Sequence, residues 1–166
     1  MKQEPHLQKA QENMKPGVIS LEGFLGNDHR NLIDIILEDD AEVKRIEHSH
    51  QQIADALKYF RDLGKPGMGE FVSVQPHHEV QYESVRGKLT CPFEDGVFPK
   101  TAITVRNKKS GEQIVYSDIH IHMIEAHGFY EGKGFRFRLE PANVVGVLEL
   151  DLLKEDPTII PYKDET

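Results

Sequence analysis

The sequence predicts an α+β domain in which helices precede an antiparallel sheet. Apolar residues recur at helical spacing over about 28–64, and from Glu70 onward they alternate at every second position. Ser49 and Gln52 have the spacing of a capping box, which marks the start of a helix. The helices are therefore expected at about 28–64, and an antiparallel sheet or partial barrel at about 70–150.

The N-terminal part is expected to contain an arm, a short strand and then helices. Residues 1–16 are polar and lack periodicity, so they are predicted to form a loose arm or a frayed helix, followed by a strand in GVISLEGF. A helical repeat begins after Asn27, and the acidic pair that starts at Asp39 is predicted to divide it into two helices. The segment from Ser49 to Gly64 is expected to be one helix, because a glycine ends it.

The later segments are predicted to be strands. Turn-forming residues at Asn107–Gly111 and Ala126–Gly134 separate neighbouring segments. The predicted strands are EFVSVQ, EVQYESVRGKLT, TAITVRN, EQIVYSDIHIHMI, GFRFRLE and VVGVLEL. The acidic tail, about 152–166, is expected to lie over the surface of a single domain that spans 1–166.

The composition excludes several classes of protein. A lone cysteine rules out an internal disulfide, and no apolar run approaches the roughly 20 residues of a membrane span. The first residues lack the apolar segment of a secretory signal, so a cytoplasmic protein without a membrane partner is expected. The net charge is -8, and the helical region is itself acidic, which argues against nucleic acid as a partner.

One segment concentrates the residues that carry chemistry. The sequence SDIHIHMIEAHGFYEGKGFRFRLEP, from Ser117 to Pro141, contains three histidines, two arginines and a lysine. Histidine transfers protons and binds metals near neutral pH, and arginine binds anions. This segment is the predicted functional site.

The predicted strands at the two ends of this segment would pair as a hairpin. Alternate residues of a strand share a face, so His120 and His122 would lie beside Arg136 and Arg138. If the strand continues without a bulge, Tyr116 shares that face and the face forms a pocket wall. A bulge just after Tyr116 would instead leave the histidines on a solvated surface, and the sequence leaves this choice open.

Two kinds of site fit these residues. The first binds a divalent transition metal such as zinc, and its predicted ligands are His120, His122, His127 and Asp118. The second binds a small anion that carries a phosphate or a carboxylate, through Arg136, Arg138, Lys133 and Tyr116. In either site, the predicted catalytic groups are His120 and His122.

The main expectation is a small soluble protein that binds a small anionic ligand at this His/Arg face, with or without turning it over. A non-enzymatic module, in which the same face docks a protein partner, is the alternative. Cys91 is a further candidate, as a nucleophile activated by a histidine, although an isolated cysteine is more often a small buried apolar residue.

Overall fold

The computed structural model describes residues 3–155 and shows an α+β fold built on a four-stranded antiparallel sheet. The strands are neighbours in sequence order and the sheet is open rather than closed. Their ranges are β1 Val72–Val74, β2 His78–Thr90, β3 Val97–Asn107 and β4 Gln113–Tyr116. The predicted class and the order of helices before sheet are confirmed.

The described residues also form six helices, three before the sheet and three after it. Their ranges are α1 Pro5–Asn13, α2 Leu32–Arg45, α3 His50–Gly64, α4 Asp118–His127, α5 Pro141–Leu148 and α6 Leu150–Glu155. Among the described residues, none of these helices has the length and apolar character needed to cross a membrane. The rest of the predicted tail, beyond residue 155, lies outside the described residues.

Helix α3 forms as its capping signal predicts. The Gln52 N–H donates to the Ser49 hydroxyl at 3.0 Å, and the Ser49 N–H donates to the Gln52 side chain at 2.9 Å. The apolar stripe of the helix, which includes Ile53 and Leu57, is fully buried in the main core. Helices α3, α4 and α5 contact the sheet, and this core lies between them and alternate residues of β3 such as Ile103.

Two predictions for the N-terminal part are wrong. The described structure has no strand in GVISLEGF, which forms turns and bends, and α2 continues through the acidic pair at Asp39 without a break. Asp39 is buried because its carboxylate pairs with Arg138, so it does not cap a second helix. Residues of the predicted arm form α1, whose Ala10 is buried together with the following Met14.

Of the last three predicted strands, only the first part of EQIVYSDIHIHMI forms one, as β4, and the sheet ends at Tyr116. SDIHIHMI belongs to α4, GFRFRLE forms turns between α4 and α5, and VVGVLEL lies mostly within α5. Ser117 is the N-cap of α4, and Gly128 ends it with a positive φ of 63°. Helix α4 is buried on several sides, so its apolar residues do not mark one helical face, and the alternation of isoleucine and histidine imitates a strand.

Candidate functional site

Five of the eight predicted site residues fall into two separate places next to α4. A helix turns about 100° per residue, so His120 and His122 point in nearly opposite directions. The predicted hairpin, which would have put them on one face beside the arginines, does not exist. His122 joins a cluster of metal-ligand side chains, and His120 lines a cavity.

The metal-ligand cluster consists of Cys91, Asp95, His122 and His127, whose ligand atoms all lie within 4.8 Å of one another. Asp95 bridges the two histidines: its Oδ1 lies 2.9 Å from His122 Nε2 and its Oδ2 lies 2.8 Å from His127 Nε2. Cys91 and Asp95 come from the turn between β2 and β3, and the histidines come from α4. The cluster therefore joins the tip of a hairpin to a helix distant in sequence.

Local backbone geometry determines where the ligand side chains of both halves of the cluster lie. In the turn, the Cys91 N–H donates to the Gly96 carbonyl and the Glu94 N–H donates to the Cys91 carbonyl, each at 2.9 Å. Glu94 has a φ of 63°, which tightens the turn so that Cys91 and Asp95 approach each other. In α4, the left-handed Gly128 donates to the Ile124 carbonyl, and this C-cap places His127 at the last helical residue.

Aromatic rings hold the two histidines in place. Phe93, within the turn, stacks on His127 with ring centroids 3.8 Å apart, and Phe98, in β3, stacks on His122 at 4.4 Å. Both phenylalanines pack against the second core cluster, to which the buried Cys91 belongs. The ligand side chains are thus oriented by packing as well as by hydrogen bonds.

The electrostatics of the cluster favour a protonated Cys91 thiol and an ionised Asp95 carboxylate. Burial, together with a hydrogen bond to Asp95, raises the pKa of the Cys91 thiol to about 12. Burial would raise the pKa of Asp95, but hydrogen bonds from Cys91 and His122 outweigh it and lower that pKa to about 2. A thiolate, a carboxylate and two neutral imidazoles carry two negative charges, which a divalent cation would neutralise while displacing the thiol proton.

Of the four metal ligands predicted from the sequence, the structure brings His122 and His127 together. His120 and Asp118 are not part of this cluster: His120 points away from His122 toward the cavity, and Asp118, one turn before His122 in α4, is held by other partners. The Asp118 carboxylate accepts hydrogen bonds from Arg61 at 2.7 Å and from the Thr101 hydroxyl at 2.9 Å, which fixes the start of the helix. This half of the predicted ligand set is therefore corrected.

Sequence reasoning missed Cys91 and Asp95 as ligands. The available signal was a Cys-x3-Asp turn between two strands, followed by two histidines five residues apart. The prediction had instead placed His122 in a strand and His127 in the turn after it, whereas both belong to α4. The other described group with metal-ligand spacing is His77, His78 and Glu149, but there His78 Nε2 already donates to the Val147 carbonyl at 2.8 Å.

On the other side of α4 lies a cavity of about 550 Å³. Most of its wall is apolar, with Phe24, Leu89, Ile119 and Phe135 among the lining residues. Its polar wall contains Ser117, His120, Glu131, Tyr116, Lys100 and Arg136. Three residues of the predicted site, His120, Tyr116 and Arg136, therefore line one cavity.

His120 and Glu131 form a buried pair in the wall of this cavity. Their exposed fractions are 8% and 3%, and His120 Nε2 lies against Glu131 Oε1 without hydrogen-bond alignment, a contact that is an ion pair only when the imidazole is protonated. Burial alone would lower the pKa of His120, but the Glu131 carboxylate and the Phe137 backbone carbonyl together outweigh it, and the net shift is upward. Burial raises the pKa of Glu131. Glu131 also has a φ of 75°, which is a strained backbone conformation for this residue.

The remaining predicted anion ligands are engaged elsewhere. Arg138 is buried and pairs with Asp39, and Lys133 pairs with Glu38 at the surface. Both are therefore outside the cavity wall. Arg136 lines the cavity and pairs with Glu22 at 2.7 Å. Lys100 was not predicted to take part.

Lys100 is a second cation in the cavity wall, and it differs from Arg136 in its pairing. Within residues 3–155, it forms no ion pair with a carboxylate, whereas Arg136 at the same cavity does. Tyr116 presents only its ring to this region, because its hydroxyl donates to the Leu57 carbonyl at 2.7 Å.

Comparison of the chain with protein-family models, curated proteins and solved structures gave no match.

Proposed function

We propose that this protein binds one divalent transition metal ion, zinc or a zinc-like ion, at Cys91, Asp95, His122 and His127. The observation that carries the proposal is the convergence of one sulfur, one carboxylate and two imidazole nitrogens within 4.8 Å. Zinc prefers four such ligands in tetrahedral arrangement, and sulfur and imidazole ligands select it over magnesium and calcium.

The ion would be structural, because the protein supplies all four ligands and leaves no position open for substrate. It would tie the β2–β3 turn to α4, two parts of the chain that are otherwise joined here by hydrogen bonds to Asp95 and by ring stacking. Since α4 also forms a wall of the cavity, the ion would fix the position of the cavity residues as well.

Metal analysis of untagged protein tests the proposal. Wild type should retain close to one zinc per chain after gel filtration, and His127→Gln and Cys91→Ser should each lose most of it. His77→Gln is the matched control, because His77 pairs with Glu149 outside the cluster. Metal-free wild type that no added ion stabilises would contradict the proposal, and so would equal metal content in His127→Gln and wild type.

A second proposal concerns the cavity, which would bind a small anionic ligand that carries a carboxylate or a phosphate. Lys100 supports it, as a cation at the cavity without a carboxylate partner among the described residues, together with the nearby Arg136. The apolar wall would hold the body of such a ligand. The protein-interaction alternative stays a prediction.

Thermal unfolding with candidate anions at constant ionic strength tests the second proposal. A ligand that binds only the native state stabilises it by about 2.7 kcal/mol at a hundredfold excess over Kd. Butyrate, benzoate and inorganic phosphate are suitable probes, and at least one should raise Tm. Lys100→Gln should remove that increase and Lys88→Gln, exposed and outside the cavity wall, should keep it. Equal shifts in both variants would exclude this site.

A further inference from the structure

Three side chains in the cavity wall form a continuous chain of contacts. Ser117 Oγ lies 2.9 Å from His120 Nδ1, and the opposite ring nitrogen, Nε2, lies against the Glu131 carboxylate. All three residues line the cavity. A hydroxyl in hydrogen-bond reach of an imidazole, which is itself oriented by a third group, is the arrangement that activates a serine nucleophile.

The hydrogen bonds assign the ring nitrogens to matching roles. The Ser117 backbone N–H donates to His120 Nδ1 at 3.2 Å, so Nδ1 carries the lone pair and the ring proton resides on Nε2, facing Glu131. Nδ1 can therefore accept the Ser117 hydroxyl proton. In the usual serine hydrolase, Nε2 of the histidine faces the serine and Nδ1 faces the carboxylate, whereas here the two ring nitrogens have exchanged these roles. Such sites are recognised by geometry and roles rather than by sequence order.

Helix capping explains only part of this arrangement. Ser117 and His120 form the capping box of α4, in which an acceptor at the third helical position receives the N-cap N–H. Glutamine or glutamate serves that purpose without any further partner. Capping does not account for Glu131, a carboxylate buried to 3% exposure against the free edge of the imidazole, with a strained backbone.

We propose that Ser117, His120 and Glu131 hydrolyse small esters with an apolar acyl group, with Ser117 as nucleophile, His120 as general base and Glu131 as the positioning residue. This activity rests on the cavity being the ligand site proposed above. Ser117 is the N-cap of α4, and the helix dipole at this end favours developing negative charge.

The reaction balances with water as the only co-reactant. Ser117 Oγ forms a bond to the acyl carbon while its proton passes to His120 Nδ1. The ester C–O bond then breaks, and the leaving alcohol takes that proton. Water attacks the acyl-serine with His120 again as the base, the proton returns to Ser117 Oγ, and the carboxylic acid leaves.

The cavity sets the substrate class. Its volume of about 550 Å³ accommodates a small molecule, and Phe24, Leu89 and Phe135 favour an apolar acyl chain. Lys100 and Arg136 lie in the same wall and would hold the carboxylate product.

Hydrolysis of p-nitrophenyl butyrate by the full-length, metal-containing protein tests the proposal. Ser117→Ala and His120→Gln should each lower turnover by at least about 100-fold, the smallest usual contribution of a general base. His120→Gln keeps an acceptor for the capping box, so its loss of activity would not be a loss of helix capping. Ser84→Ala is the matched control, because Ser84 is exposed on β2 outside the cavity wall and its variant should retain wild-type turnover.

Glu131→Gln tests the positioning role, because it preserves the side-chain size and removes the charge. It should lower kcat by at least about tenfold and leave KM unchanged, since the carboxylate acts on the imidazole rather than on the substrate. A purely structural role for Glu131 would change Tm without this separation of kcat from KM.

Labelling of wild type by a fluorophosphonate gives a result that does not depend on any variant folding. One adduct per chain, located on Ser117 by peptide mass spectrometry, is the expected result. The absence of an adduct, an adduct on another residue, or Ser117→Ala turnover equal to wild type would overturn the proposal. If butyrate, benzoate or inorganic phosphate still raises Tm in that case, the anion-binding cavity stands and only the hydrolase activity fails; if none of the three binds, both fail.

Discussion

At the residue scale, the role of each histidine is set by the group that it faces. His122 and His127 face Asp95, His120 faces Glu131, and His78 donates to a backbone carbonyl. These four residues are chemically identical in the sequence, and two of them are separated by a single residue. The sequence therefore predicted a functional site in the histidine-rich segment from Ser117 to Pro141. It could not assign His122 and His127 to a metal-ligand cluster and His120 to a cavity.

Arg138 illustrates a charge whose role is structural. Its guanidinium donates to Asp39 at 2.7 and 2.9 Å and to the Glu131 carbonyl at 2.6 Å, and both side chains of the ion pair are only 4% exposed. Arg138→Gln should destabilise the fold by about 3 kcal/mol or more, because it leaves the Asp39 carboxylate buried without its partner. Urea unfolding at pH 7 measures this change.

Arg136→Gln is the matched control for that measurement. Arg136 is 68% exposed and pairs with Glu22 at the surface, so its loss should change stability by no more than about 0.5 kcal/mol. Equal effects of the two substitutions would contradict the assignment of Arg138 to a buried ion pair.

At the element scale, the sequence was sufficient where local signals determine the structure. The Ser49 capping box predicted α3, and regular alternation predicted β2, β3 and β4 with the turn after Asn107. It was insufficient for α4 and α5, because their buried residues surround much of each helix and include β-branched isoleucine and valine. The metal cluster depends on α4, so its complete ligand set could not be predicted from that assignment.

The glycine-rich segment after α4 was predicted to be a hairpin turn, but it packs closely against the segment around Leu25. A Cβ at Gly132 would overlap the Leu25 backbone carbonyl, and the Gly132 N–H donates to the Phe24 carbonyl at 3.0 Å. Gly132→Ala should therefore destabilise the protein by about 1–3 kcal/mol, as overpacking does. Thermal unfolding checks this prediction.

Gly146 provides a control in which the expected change in folding stability has the opposite sign. It lies on the exposed side of α5, and an added Cβ there would meet no atom within 4 Å. Gly146→Ala should stabilise the fold by about 0.5–1 kcal/mol, because alanine loses less backbone entropy in a helix. Destabilisation by Gly146→Ala would contradict the open space around Gly146. An unchanged Tm for Gly132→Ala would contradict the close packing of Gly132 against Leu25.

At the scale of the whole molecule, α4 connects the two candidate sites. It carries His122 and His127, which belong to the metal-ligand cluster, and His120, which lies in the cavity wall. An ion in the cluster would stabilise the helix and, through it, the cavity. Removal of the metal should therefore lower Tm and weaken any ligand binding in the cavity, whereas substitutions in the cavity should leave metal content unchanged.

Acid should destabilise the molecule through paired carboxylates that hold distant segments together. Asp28 accepts hydrogen bonds from Arg30 and from the Lys133 N–H, and the Arg30 contact holds the pKa of this carboxyl well below its usual range. Because the folded-state pKa is lowered, the stabilisation is complete above about pH 4, the pKa of an unfolded aspartate, and is lost as pH falls further.

Urea unfolding of wild type and Asp28→Asn at pH 7, 5 and 3 measures this contribution. The difference in unfolding free energy between the two proteins should be largest at pH 7 and shrink at pH 3; release of a bound metal in acid affects both proteins and cancels in the difference. A difference that stays constant or grows toward pH 3 would exclude the ion pair as its source.

The central claim is that one metal ion joins Cys91, Asp95, His122 and His127, and X-ray absorption at the zinc edge of the purified protein tests it most directly. The predicted spectrum has one sulfur at about 2.3 Å and three nitrogen or oxygen atoms at about 2.0–2.2 Å, as in tetrahedral zinc sites. Cys91→Ser should remove the sulfur contribution. A shell of five or six oxygen and nitrogen atoms without sulfur would contradict the claim.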